Sequence, residues 1–293
     1  MSVVKIKVPA TSANIGAGFD CLGMAVSIYN EYTFEKAENF LITGCPIEYA
    51  NTDNLVYTSF LKAFEVCGKE SVMVHIHING DIPVSRGLGS SAACIVAGVL
   101  AANHYMGNCM SEDEVFKLCS DLEGHPDNVA PALFGGIQAC FVEGNEVYHN
   151  EYSIHDSYYL TVLIPPFLLS THESRSVLPK SIERKDAVYN MSHAIATLRY
   201  LENGDYDKLT VALRDCLHQS YRLPLIKGAD KVIELCNELG SRVVYLSGAG
   251  PTLMCVSKNE LTSLISESLD LDWCVKGVKV VREGAIKEVM NNG

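Results

Sequence analysis

The 293-residue sequence has no Cys-x-x-Cys pair, although it holds 11 cysteines. The odd number and scattered spacing argue against a zinc ribbon and against a secreted disulfide framework. Most of these thiols read as small buried hydrophobes of a reducing compartment. No stretch approaches the roughly 20 apolar residues that span a bilayer. Val4, Ile6 and Val8 alternate with Lys5 and Lys7, so the first residues read as a strand and not as a signal-peptide core. The expected location is the cytosol. Basic charge is scarce: 23 Lys and Arg stand against 35 Asp and Glu, a formal net charge of −12 at pH 7. Such a chain is unsuited to nonspecific binding of nucleic acid or an anionic membrane, and neither partner is expected. Internal repeats and low-complexity tracts are absent. No Gly-Lys-Ser/Thr follows a glycine turn, which argues against the common nucleotide P-loop.

What the chain does have is a glycine turn between a strand and a helix. Val72, Val74, Ile76 and Ile78 alternate with Met73, His75 and His77, the pattern of a half-buried strand. Pro83-Val84-Ser85-Arg86-Gly87-Leu88-Gly89-Ser90-Ser91-Ala92-Ala93 follows. Ile95, Val96, Val99 and Met106 then recur at helical spacing. Ser90 or Ser91 is expected to cap this helix. Gly87 and Gly89 let backbone N–H groups approach a ligand at a positive helix end, a site suited to phosphate. The bland alternative is a tight turn between core elements. Gly-x-Gly-x-x-Ala also fits a dinucleotide motif, but the acidic strand end due about 20 residues later is missing.

Three further clusters carry polar chemistry. The first is Pro9 to Asp20, rich in small residues, in which Asn14 and Asp20 offer an amide and a carboxylate. Turn chemistry and substrate recognition are equally good readings of these two. The second follows a helix opened by the capping-box pattern Ser111-Glu112-Asp113-Glu114. It runs Asp121-Leu122-Glu123-Gly124-His125-Pro126-Asp127-Asn128, read as a helix end and a rigid loop. A carboxylate there, near bound phosphates, would suit Mg2+. The third is a pair of cations, Arg175 and Arg222, able to clamp a carboxylate. Surface salt bridges are the commoner fate of arginine. His75 and His77 share a strand face, but exposed strand positions describe them better than metal ligands. Further helices are expected at about 186–202, 205–220, 228–239 and 259–269, and a closing strand at Lys276 to Arg282. Ser247-Gly248-Ala249-Gly250-Pro251-Thr252 forms a tight turn between two strands. The length suits one large or two medium domains, with a boundary near residue 155 that divides the chain into 1–155 and 156–293.

Together, Pro9–Asp20, Pro83–Ala93 and Ser247–Thr252 resemble, in order and spacing, the three signature motifs of the GHMP small-molecule kinases. Glu123–Pro131 with Gly135-Gly136, Thr171-x-x-x-Arg175 and the Arg222-Leu223-Pro224 segment resemble the branch of that family acting on L-homoserine. The resemblance implies an α+β fold of two domains, the N-terminal one of the ribosomal-S5 type. It implies ATP-dependent phosphorylation of the L-homoserine hydroxyl, and a homodimer. Pro83, Val84, Ser85, Arg86, Gly87, Leu88, Gly89, Ser90, Ser91, Ala92 and Ala93 would wrap the ATP phosphates, with Asn54 near the base and sugar. Ser91 and Glu123 would hold Mg2+, with Asp121 as the alternative acid. Asn14, Asp20, His125, Asn128, Thr171, Arg175, Arg222, Gly248 and Gly250 would line the substrate site. Asn128 would address the reacting hydroxyl, Arg175 and Arg222 the α-carboxylate, and Asp127 would be a helper in proton removal. Two other readings stay open: another carboxylate-bearing alcohol such as mevalonate or shikimate, and a sensor without turnover.

Overall fold

The computed structural model describes residues 2–291. The chain begins with β1 (Ser2–Ala13) and β2 (Leu22–Lys36), a long antiparallel pair whose inward residues Val4, Ile6, Val8, Tyr32 and Phe34 are fully buried. The short β3 (Leu41–Thr43) follows, then α1 (Leu55–Val66). Asn54 caps α1 by accepting from the Val56 N–H, and Val56, Phe60, Ala63 and Phe64 form its buried face. β4 (Val74–Gly80) leads into the glycine turn, and α2 (Ser90–Tyr105) leads out of it. Neither Ser90 nor Ser91 caps α2. The cap residue is Gly89 at φ +69°, in the left-handed region open to glycine, and no side chain bonds to the helix end. The first-turn N–H groups, which have no acceptor within a helix, are thereby left free of a serine competitor.

α3 (Glu112–Glu123) starts with the expected capping box of Ser111 and Glu114. The segment expected to be a rigid loop is instead a helix, α4 (Pro126–Phe134). Pro126 occupies its first turn, where a missing N–H costs nothing. Pro131 lies inside it and is tolerated because seven of its nine residues are buried by neighbouring elements. The hairpin β5 (Ile137–Glu143) and β6 (Glu146–Tyr152) extends the first sheet from β2.

The second half opens with β7 (Tyr159–Ile164), then α5 (Thr171–Ser176), α6 (Arg184–Asn203) and α7 (Tyr206–Ala212). The single helix expected over 205–220 is broken. Asp215 accepts from the backbone N–H groups of Leu217, His218 and Gln219 at 3.0, 2.9 and 2.7 Å, and a new short helix, α8 (Gln219–Arg222), starts there. A buried aspartate offering the backbone these local partners outcompetes helix continuation. α9 (Ala229–Glu238), β8 (Val243–Leu246), β9 (Leu253–Ser257), α10 (Thr262–Ser268), β10 (Cys274–Val278) and β11 (Ile286–Asn291) complete the chain.

The first sheet has the order β11-β1-β2-β4-β3, with β5 on β2 and β6 on β5. The second has the order β10-β7-β9-β8. The closing strand is shorter than expected, and β11, which was not expected, returns to pair antiparallel with β1. One hydrophobic core joins α1, α2 and the first sheet to Leu160, Val162, Tyr245, Met254 and Val256 of the second sheet. A smaller core lies between the second sheet, α9 and α10. Among the described residues no helix is long and apolar enough to cross a membrane.

Candidate active site

The glycine turn packs against the Ser247–Thr252 turn. Ser247 Oγ donates to the Gly87 carbonyl at 2.6 Å, and the Thr252 N–H donates to the Arg86 carbonyl at 3.2 Å. A Cβ on Gly87 would collide with the Ser247 carbonyl, and one on Gly89 with Thr11 Oγ1. At Gly87 the turn is backed by the Ser247–Gly250 backbone and at Gly89 by Thr11, and its Gly87 and Gly89 face the cleft. Two cavities meet there, sharing Ser85, Ser90 and Ser91.

The first, of about 120 Å³, is lined by polar groups from both halves of the chain. Asn14, Asp20, Gly87, Gly89, Glu123, His125, Asp127, Asn128, Thr171, Arg175, Arg222, Gly248 and Gly250 all face it. Asn14, Asp20 and Ser85 have φ of +71°, +55° and +53°, so three of the five non-glycine residues with positive φ among the described residues lie here. Backbone strain of that kind concentrates where a side chain must be aimed. The second cavity, of about 650 Å³, runs from Val84 past Asn30, Cys45, Tyr49 and Asn54. Asn54 is committed to its cap and to the Tyr49 carbonyl, 2.8 Å away, so it shapes this cavity with few free bonds. Other parts of the turn do not face a cavity. Leu88, Ala92 and Ala93 are core residues, and Arg86 donates to the carbonyls of Pro165 and Pro166, pinning the turn to the second half.

At one end of the first cavity Ser91 Oγ donates to Glu123 Oε2 at 2.6 Å. Burial raises the Glu123 carboxyl above its ordinary value, against the opposing effects of Ser91 and His125. Asp121 points away and pairs with Lys117 at 2.8 Å. A carboxylate and a hydroxyl in contact beside a helix N-terminus suit a hard cation whose remaining ligands are water and phosphate oxygens. No group of three or more His, Cys, Asp or Glu that could hold a metal occurs among the described residues. The site would depend on its substrate to complete the coordination.

At the other end Arg175 makes a forked pair with Asp20, at 2.8 and 3.1 Å. Arg222, only 1% exposed, donates through Nε to the Ser174 carbonyl at 3.1 Å and through Nη1 to the Gly248 carbonyl at 3.3 Å. Both guanidinium groups lie over the Phe19 ring, 5.8 and 5.1 Å from its centre. Burial and the Arg175 charge push Arg222 down to about 10, so it is still a cation at neutral pH. His218 beside it is lowered by burial and donates from Nε2 to the Gly16 carbonyl at 2.8 Å. Between the two ends stand His125 and Asp127, 2.7 Å apart. Burial alone would lower His125, but the hydrogen bond and charge of Asp127 outweigh it and the net shift is upward.

Sequence reasoning missed Phe19, Ser174, Asp215 and His218, which orient the two arginines. The only sequence signal was the four-residue spacing of His218 and Arg222, which places them on one side of a helical turn.

A fold of two sheets, with a glycine turn at a helix N-terminus facing a buried cationic pocket, has the features of a small-molecule kinase. The family model for the GHMP kinases N terminal domain matches residues 54–136, and that for the GHMP kinases C terminal matches 197–266. The chain belongs to the GHMP kinases. It is 42% identical over 292 residues to a homoserine kinase of Clostridium botulinum strain 657, covering 97% of this chain and 98% of that one. The crystal structure of homoserine kinase from Cytophaga hutchinsonii superposes with a TM-score of 0.84 at 26% identity, over 98% and 97% of the two chains. A putative homoserine kinase from Listeria monocytogenes gives 0.81 at 27%, over 99% and 100%. Within the GHMP kinases, then, the chain falls among the homoserine kinases.

Proposed function

We propose that the protein transfers the terminal phosphoryl group of ATP to the side-chain hydroxyl of L-homoserine. The observation that carries this reading is the polarity of the first cavity: a phosphate-binding helix end at one side, and Asp20 with two arginines at the other. An amino acid is a zwitterion. Its ammonium group matches Asp20 and its carboxylate matches the Arg175 and Arg222 forks, so binding exchanges the Arg175–Asp20 pair for two pairs to the substrate. Mevalonate and shikimate carry no ammonium group and would leave Asp20 facing them without a partner.

The adenosine part of ATP fits the larger cavity beside Asn54, and the phosphates cross Ser85, Ser90 and Ser91 into the smaller one. Ser91 and Glu123 would hold Mg2+, which when bound supplies charge neutralisation at the phosphoryl oxygens. The free N–H groups of the α2 N-terminus add positive potential there. Asn128 directs the acceptor hydroxyl towards the phosphoryl group. Asp127 Oδ1 is shared between His125 and the Asn128 amide at 2.7 and 3.3 Å, which makes it an orienting group more than a free base. Alignment and charge neutralisation supply most of the catalysis in phosphoryl transfer. We place the boundary between the two halves near residue 155. A homodimer and a cytosolic location, which rest on the family likeness and the sequence, complete the proposal.

The test is ADP release by the purified protein with Mg2+ and ATP, comparing L-homoserine, L-serine, L-threonine, mevalonate and shikimate. Selective turnover of L-homoserine is the expected result. Preference for mevalonate or shikimate would overturn the assignment of Asp20.

A further inference from the structure

We infer that Thr11 is a positioning residue for phosphoryl transfer, holding the Asn128 amide in the one orientation that turns an N–H towards the acceptor hydroxyl. This rests on the reading of Asn128 given above. Thr11 lies on β1, fully buried, and does not line the cleft. Its Oγ1 donates to Asn128 Oδ1 at 2.7 Å. Asn128 Nδ2 lies 3.3 Å from Asp127 Oδ1, itself 2.7 Å from the His125 ring. A carboxylate hydrogen-bonded to an imidazole only accepts, so the nitrogen end of the amide must face Asp127 and the oxygen end must face Thr11. One amide hydrogen is thereby used on Asp127, and the other is left for the cleft that Asn128 lines.

The same threonine holds the phosphate turn. Its backbone N–H donates to the Leu88 carbonyl at 3.1 Å, and a Cβ on Gly89 would strike Oγ1. One residue thus sets the phosphate turn and the acceptor-side amide against each other. The backbone bond belongs to any residue at this position, whereas the bond to Asn128 needs a hydroxyl. The two roles therefore separate by substitution.

The experiment compares Thr11→Val, Thr11→Ala and Thr11→Ser with the native enzyme, measuring kcat and the KM for ATP and for L-homoserine, with thermal unfolding as a check on folding. Valine matches threonine in shape, and alanine removes the same hydroxyl without adding a methyl, so either folded variant serves. The expected result is a fall in kcat of tenfold or more for the variants without a hydroxyl, an ATP KM within threefold of native, and recovery to within threefold of native kcat for Thr11→Ser. Native kcat in a variant lacking the hydroxyl would overturn the inference, as would equal losses in Thr11→Val and Thr11→Ser, or a loss confined to the ATP KM. If the native enzyme turns over a different alcohol, the substrate reading has failed and the same comparison on that alcohol judges Thr11.

Discussion

Replacing Arg222 by lysine keeps a positive group in the pocket and removes the fork. In the native structure the guanidinium donates to Ser174 and Gly248 carbonyls. The Gly248 carbonyl would keep its bond from Asn14 Nδ2 at 2.8 Å, whereas no other donor reaches the Ser174 carbonyl among the described hydrogen bonds. Leaving one buried acceptor unpaired costs about 1–3 kcal/mol, which sets the expected loss of stability. On the substrate side, a forked pair to the carboxylate becomes a single contact. One charge-assisted hydrogen bond is worth about 1.5–3 kcal/mol, or roughly 10- to 150-fold in KM for L-homoserine at about 1.4 kcal/mol per tenfold. The KM for ATP should stay near its native value, because Arg222 does not line the second cavity, where the adenosine is proposed to sit. A pH dependence follows. Burial and Arg175 depress the arginine to about 10. A lysine starts near ~10.4 and meets the same burial, so it loses charge more readily as pH rises. The variant's KM should therefore improve on the acid side of neutral. Steady-state kinetics across pH, with thermal unfolding, make the test. A normal KM for L-homoserine in a less stable variant would refute the carboxylate role and leave Arg222 structural.

Glu123→Gln keeps the shape of the side chain and removes its charge. Turnover should fall strongly and need more Mg2+ for half-saturation, and an unchanged Mg2+ titration would remove Glu123 from the metal site. Gly89→Ala forces a Cβ into the left-handed region, at a cost of about 1–2 kcal/mol, and into contact with Thr11 Oγ1. A raised KM for ATP and a lower melting temperature are expected, and native values for both would contradict the packing described. In Asp127→Asn the larger part of the upward pull on His125 is lost, leaving that of Glu123, so its imidazole, followed by proton NMR, should titrate at lower pH. The sign for stability follows by linkage. A histidine raised above its ordinary 6.5 stabilises the fold fully below that pH, and the contribution fades as pH rises through the folded value. The stability gap between native protein and variant should narrow in the same direction, and a gap that widened above pH 6.5 would contradict the His125–Asp127 pairing.

The site was legible in the sequence where its chemistry is local. Gly87, Gly89 and the helix after them are a short segment whose backbone alone makes the glycine turn, so spacing suffices to find it. The same holds for the capping box at Ser111. Alternation was enough to place β1 and β4, since burial on one face follows from period two. Local reasoning misplaced the cap of α2, because Ser91 is engaged by Glu123, 32 residues away, a partner that no window around the turn contains. It also read 125–131 as a loop from its prolines, which were compatible with a helix once α4 was packed on all sides.

The tertiary structure alone decided where the arginines go. Asp215 breaks a helical pattern to start α8, which carries Arg222 into a buried position opposite Arg175. It decided too that β11 closes the sheet begun by β1, some 280 residues earlier. By itself the sequence determined the glycine turn, the helix behind it and the residue types able to bind a zwitterion. Only the fold determined which of those charges are buried, paired and aimed at one another. A hydrogen bond or ion pair depends on distance in space, and chain separation carries no record of that distance.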